Sequence, residues 1–154
     1  MQKGLFMLSN ACKYAIRSIL YLAIHNDDNK KIGAKKIAEE LETPQPFLSK
    51  LLQQLSKNGL VSSTKGPNGG FFLSEADLNN SVWDIIKCID GTKKFDQCFM
   101  GLSTCNDAKP CPVHFTVAPF KQKIMKDFKD KSIKVLVSEI IQKGRHISLK
   151  DIEV

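Results

Sequence analysis

Residues 60–73 place two short extended segments around the run Lys65-Gly66-Pro67-Asn68-Gly69-Gly70. Glycine and proline at that density supply the backbone angles of a tight reversal, so the pattern predicts a β-hairpin pairing 60–64 with 71–73. What precedes the hairpin is helical. Cys12, Ala15, Ile16, Ile19, Leu20 and Ala23 recur at intervals of three and four, one face of a helix over about 10–25 with Ser9 as its N-cap. The polar run 25–31 ends it. Ala34, Ile37, Ala38 and Leu41 mark a short second helix. Thr43-Pro44-Gln45-Pro46 then reads as an N-cap with proline in the first turn, where a missing N–H costs nothing. The third helix turns Phe47, Leu48, Leu51, Leu52 and Leu55 inward and stops at Asn58-Gly59. Helix, short helix, tight turn, helix and hairpin is the order of a winged helix-turn-helix, whose second motif helix enters the major groove of DNA.

Charge supports that reading. Net charge is +7, and the 32 positions of 43–74 hold Lys50, Lys57 and Lys65 with no Asp or Glu. A stretch without carboxylates is what a surface facing phosphates would look like, the plainer reading being a solvated face with a chance deficit of acids. Pro44, Gln45, Ser49, Lys50 and Gln53 occupy the start and outer face of the third helix. Gln45 and Gln53 can hydrogen-bond base edges, adenine above all, and Ser49 is permissive. Lys50, Lys57 and Lys65 would neutralise phosphates, with the wing tip at Lys65, Gly66 and Asn68 approaching the minor groove.

Beyond the hairpin, Ser81-Val82-Trp83-Asp84 is a capping-box pattern, opening a helix that turns Val82, Ile85, Ile86 and Ile89 inward and ends at Gly91. Pro119 is expected to start a long helix to about residue 143. Phe120, Ile124, Phe128, Val135, Leu136 and Ile140 form its apolar stripe, and Lys121, Lys123, Lys126, Lys129, Lys131 and Lys134 lie mostly elsewhere. A helix of ~25 residues outruns the core of one small domain and predicts a partner helix, hence a homodimer. The expected organisation is mainly α with a small β-hairpin wing: a DNA-binding domain over 1–80, a connecting helix and cysteine-rich loop over 81–118, a dimerisation helix over 119–145 and a tail over 146–154.

Five cysteines, an odd number, fall in a chain whose first residues show no export signal. Metal or redox chemistry is then expected rather than structural disulfides. Cys12 and Cys88 sit within apolar helical patterns and read as small buried hydrophobes. Cys98, Cys105 and Cys111 share one polar segment with spacing C-x6-C-x5-C, and His114 follows three positions on.

Lys13-Tyr14-Ala15-Ile16-Arg17, Ile37-Ala38-Glu39, the stretch 51–60 and the run from Val61 through Lys65-Gly66-Pro67-Asn68-Gly69-Gly70-Phe71 resemble the IscR/NsrR family of bacterial regulators, to about residue 145. The resemblance implies a dimeric winged-helix repressor of palindromic double-stranded DNA sites, with a long C-terminal helix crossing its twin. It also implies an iron–sulphur cluster on Cys98, Cys105 and Cys111 that senses redox state, nitric oxide or iron, with two irons favoured over four. In one branch a histidine three positions after the last cysteine completes the site, and His114 matches it. In the nitric-oxide-sensing branch a carboxylate near the N-terminus does so; Lys13 stands there, and an ammonium cannot ligate iron. The Cys98–Cys105 spacing is one residue longer than in some relatives.

Other readings of the cysteines stay open. Cys3His is also a zinc set, though its spacing is looser than a zinc knuckle. A thiol switch needs no metal, and Cys111-Pro112 is a weak haem signal. An iron–sulphur electron carrier is the alternative of another class, and leaves the acid-free helix and wing unexplained. No nucleophile elbow, P-loop or dinucleotide fingerprint occurs, Asp27-Asp28 and Asp84 lack convergent partners, and no enzyme is expected. No apolar run approaches the ~20 residues of a membrane span, and the expected location is the cytoplasm.

Overall fold

The computed structural model describes residues 8–26, 30–103 and 105–144. The expected tail over 146–154 and the Asp27-Asp28 pair lie outside these residues. Helix α1, Asn10–Ile24, begins where the Ser9 side chain accepts the Cys12 backbone N–H at 3.0 Å, and it buries Cys12, Ala15, Ile19, Leu22 and Ala23. Helix α2, Ala34–Leu41, buries Ile37, Ala38 and Leu41 and ends in Glu42, held left-handed at φ 54° and ψ 47°. Helix α3, Gln45–Lys57, follows Pro44 with Pro46 in its first turn and buries Leu48, Leu51, Leu52 and Leu55. Burying one such leucine is worth about 1.5–3 kcal/mol, so this face fixes which side of α3 remains for solvent and ligand. Gly59 stops the helix at φ 72°.

Strands β1, Ser62–Thr64, and β2, Gly70–Phe72, pair antiparallel with Ser63 opposite Phe71. The hairpin is rooted in the helical body by two backbone bonds, Ile32 N to Phe71 O at 2.9 Å and Phe71 N to Ile32 O at 2.8 Å. That approach requires Gly70: a Cβ there would stand 2.9 Å from the Ile32 backbone. A short helix absent from the sequence expectation follows, α4, Glu75–Leu78, with a Ser74–Asp77 capping box. Its buried Asp77 also accepts from the Ser62 hydroxyl at 2.6 Å, fastening β1 from the other side. Helix α5, Val82–Ile89, has the expected Ser81–Asp84 capping box, and a 3₁₀ turn spans Lys93–Asp96. Mainly helical structure with one small hairpin is the expected fold class, and α1 is its hub, packing on α2, α3, α5, β2 and the C-terminal helix.

The expected single helix from Pro119 is two. Helix α6, His114–Asp130, starts five residues earlier and carries Pro119 inside it; helix α7, Ile133–Lys143, starts afresh with Ser132 as N-cap. A tertiary contact breaks the run: Ile133 N donates to Asn80 O at 2.8 Å, and the Ile133 side chain is fully buried. Helix α7 folds back on α1, so helix length no longer argues for a partner. Phe47 also departs from expectation. It precedes Leu48 on the helix, is 38% exposed, and meets Tyr14 edge-on with ring centres 5.8 Å apart. Among the described residues, no helix is long and apolar enough to cross a membrane.

Candidate DNA interface and cysteine site

Along α3, Gln45, Lys50, Gln53 and Lys57 are exposed and Ser49 is half-buried, with Pro44 exposed just before the helix. Lys65, Gly66 and Asn68 are exposed at the wing tip. The helix is braced at both ends. Near its start, Phe47 packs on Tyr14, the Arg17 guanidinium lies 5.4 Å from the Tyr14 ring centre, and Arg17 donates to Leu41 O at 3.4 Å. Toward its end the Gln54 amide donates to Cys88 O at 3.1 Å, joining α3 to α5. Sequence reading missed these braces because Tyr14 to Phe47, Arg17 to Leu41 and Gln54 to Cys88 each join residues on different elements, 24 or more positions apart.

The second site lies between the 3₁₀ turn and α6. Cys98, Cys111 and His114 are buried and Cys105 is half-buried. Cys105 Sγ stands 3.6 Å from His114 Nδ1, and Cys98 and Cys111 are buried in the same segment. The structure therefore brings Cys105 and His114 together as one pair of the four predicted donors. Among the described residues, no three His, Cys, Asp or Glu side chains converge closely enough for a single metal ion. Burial opposes ionisation of Cys98, yet the N–H groups of Leu102 and Met100, the Cys111 thiol and the charge of Lys121 outweigh it, holding the thiol below its ordinary value. Cys12 behaves oppositely: burial, then the charge of Asp90, pushes it up to about 12, the mark of an inert core thiol.

Two participants were not anticipated. Lys121, expected on a solvated face, is 4% exposed; its ammonium donates to Gln97 O and lies 3.4 Å from Cys105 Sγ. The signal was available, since Lys121 follows His114 by seven positions, two turns along one helix face. Asp107 reaches His114 Nε2 at 2.7 Å. Nearby, Trp83 packs against Phe95 with ring centres 5.0 Å apart, and Lys129 Nζ lies over the Trp83 ring, 4.8 Å from its centre.

Comparison with known proteins follows the same lines. Residues 8–139 match the Rrf2 family, described as iron-dependent transcriptional regulators. A putative HTH-type transcriptional regulator of Aquifex aeolicus is 34% identical over 134 residues, 86% of this chain and 92% of that protein. The HTH-type transcriptional regulator IscR of Klebsiella pneumoniae is 29% identical over 107 residues, 70% of this chain and 64% of that protein. Among solved structures, CymR, the global cysteine regulator of B. subtilis, superposes with a TM-score of 0.68 at 20% identity, covering 90% of this chain and 98% of that one. IscR of T. potens does so with a TM-score of 0.68 at 21% identity, covering 92% and 93%. These two share the fold. On the match over 8–139 and the relative from Aquifex, the chain belongs to the Rrf2 family of winged-helix transcriptional regulators, DNA-binding proteins rather than enzymes.

Proposed function

We propose that the chain reads duplex DNA through α3 and the wing as a homodimer, and that an iron–sulphur cluster on Cys98, Cys105, Cys111 and His114 modulates this binding. The observation that carries the reading is Cys105 Sγ beside His114 Nδ1 at 3.6 Å, with Cys98 and Cys111 buried in the same segment. A structural zinc ion takes four ligands about one point. In a centre of two irons each metal takes two protein ligands, and Cys105 with His114 makes one such pair. The buried Lys121 ammonium, 3.4 Å from Cys105 Sγ, calls for an anion beside it; three thiolates and their cluster supply one. When bound, such a group contributes one-electron redox chemistry and lability toward oxidants.

The chain's own residues then carry the effect. The cysteine segment leaves α5 through the 3₁₀ turn, α5 packs on α1 and α3, and Gln54 bonds the two helices directly. Ordering or releasing the segment shifts α5, and with it the aim of α3. Dimerisation rests on α6 and α7, where Phe115, Phe120 and Ile141 are 70%, 56% and 67% exposed and call for a cover. A two-fold dimer presents paired α3 helices to half-sites about one helical turn apart, ~34 Å, on a palindromic operator. Repression as the sign of control rests on the family resemblance alone.

The test is to select duplex DNA from a random library with anaerobic protein, then measure its affinity for cluster-loaded and cluster-free protein at matched salt. A difference of tenfold or more is expected; equal affinities overturn the switching mechanism.

A further inference from the structure

His114 is 4% exposed, yet the carboxylate that meets it belongs to Asp107, whose side chain is 88% exposed on the loop between the second and third cysteines. The contact is 2.7 Å long and made to Nε2, while Nδ1 faces Cys105 Sγ at 3.6 Å. An ionised carboxylate can only accept, so a hydrogen bond to it requires the ring proton on Nε2. A neutral imidazole has one such proton, which leaves the lone pair on Nδ1, the nitrogen beside Cys105. Metal-bound histidines commonly use this device, the second nitrogen donating to a carboxylate that sets ring orientation and tautomer.

We infer that Asp107 is a positioning residue that fixes His114 in the Nε2–H tautomer and presents its Nδ1 lone pair beside Cys105. The inference rests on the reading of His114 as a ligand, and it adds which nitrogen binds and which residue makes it available. Asp107 is suited to the role because its loop brings the carboxylate to His114 Nε2 while the rest of its side chain faces solvent. The local turn carries its own bond, Asn106 Oδ1 accepting the Lys109 N–H at 2.8 Å.

The test uses the full chain, ¹⁵N-labelled, reduced and metal-free. Long-range proton–nitrogen correlation spectra report the protonation of each ring nitrogen of its three histidines, with His114 assigned by its loss in His114→Gln. His114 is expected in the Nε2–H form, and Asp107→Ala is expected to shift it toward a mixture of tautomers with Trp83 fluorescence unchanged. An Nδ1–H form, an imidazolium, or a spectrum indifferent to Asp107→Ala overturns the inference. In protein reconstituted with iron and sulfide, Asp107→Ala should lose colour about 10–100 times faster than the parent, and equal rates also count against it. Parent protein that stays colourless while its His114 is in the Nε2–H form and responds to Asp107→Ala defeats the cluster, not the assignment of Asp107.

Discussion

Asp90 Oδ2 accepts the backbone N–H of Ser9 at 2.8 Å, so the residue that follows α5 also holds the N-cap of α1, 81 positions away. The Ser9 hydroxyl bonds the same carboxylate, and Lys94 pairs with it at 2.6 Å. The start of the DNA-binding body and the entry to the cysteine segment are thereby tied to one side chain, itself only 6% exposed.

Asp90→Ala should therefore cost about 2–3 kcal/mol in urea unfolding, the range for buried hydrogen bonds to a charged group. Burial works to raise the Asp90 pKa, but the bonds from Lys94 and Ser9 prevail and hold it below the usual carboxylate range. Its stabilisation is thus complete at neutral pH and is lost as pH falls through the lowered value. The variant should show a flatter acid limb of stability against pH than the parent, and parallel limbs would contradict the assignment.

Glu42 is the one non-glycine residue with positive φ among those described. The left-handed region costs an ordinary residue about 1–2 kcal/mol, part of which glycine returns through its looser unfolded chain. Glu42→Gly should raise the unfolding free energy by up to about 1 kcal/mol. A loss of stability would mean that the glutamate side chain holds the turn.

On α3 and the wing, phosphate and base contacts should separate. Lys57→Ala should weaken binding to all sequences evenly and lower the salt slope by about one, whereas Gln45→Ala or Ser49→Ala should alter sequence preference. Affinities measured across a salt series and a set of operator variants decide this. Identical behaviour of the two classes would remove α3's outer face as the reading surface.

Lys121→Met keeps the length of a buried side chain and removes its charge. Metal-free protein should be as stable or more so, since a buried ammonium is costly to desolvate. Cluster-loaded protein should lose iron faster in air. Unchanged iron retention would mean that the charge beside Cys105 is immaterial to what the site holds.

How much of this was legible in the sequence depends on whether a signal was local. The spacing of Cys12, Ala15 and Ile19, the cap at Ser9 and the glycines of the wing each act within a turn or two, and α1, α2, α3 and the hairpin follow from them. Helix α4 has the same kind of local signal, a Ser74–Asp77 capping box, but at four residues it is too short to show an apolar period. The break before Ile133 was not legible, because apolar residues keep their helical spacing across it and the bond to Asn80 O comes from 53 positions away in chain order. The cysteines and His114 announced themselves by residue type. Asp107 and Lys121 look like ordinary surface charges until folding sets one against His114 and the other against Cys105.

The most direct measurement is of iron, acid-labile sulfide and zinc in the same sample of protein purified without oxygen, alongside Cys105→Ala. About two irons and two sulfides per chain, the content of a two-iron cluster, lost in the variant, is the predicted result. Colourless protein with one zinc per chain would contradict it, making the cysteine segment a structural clasp.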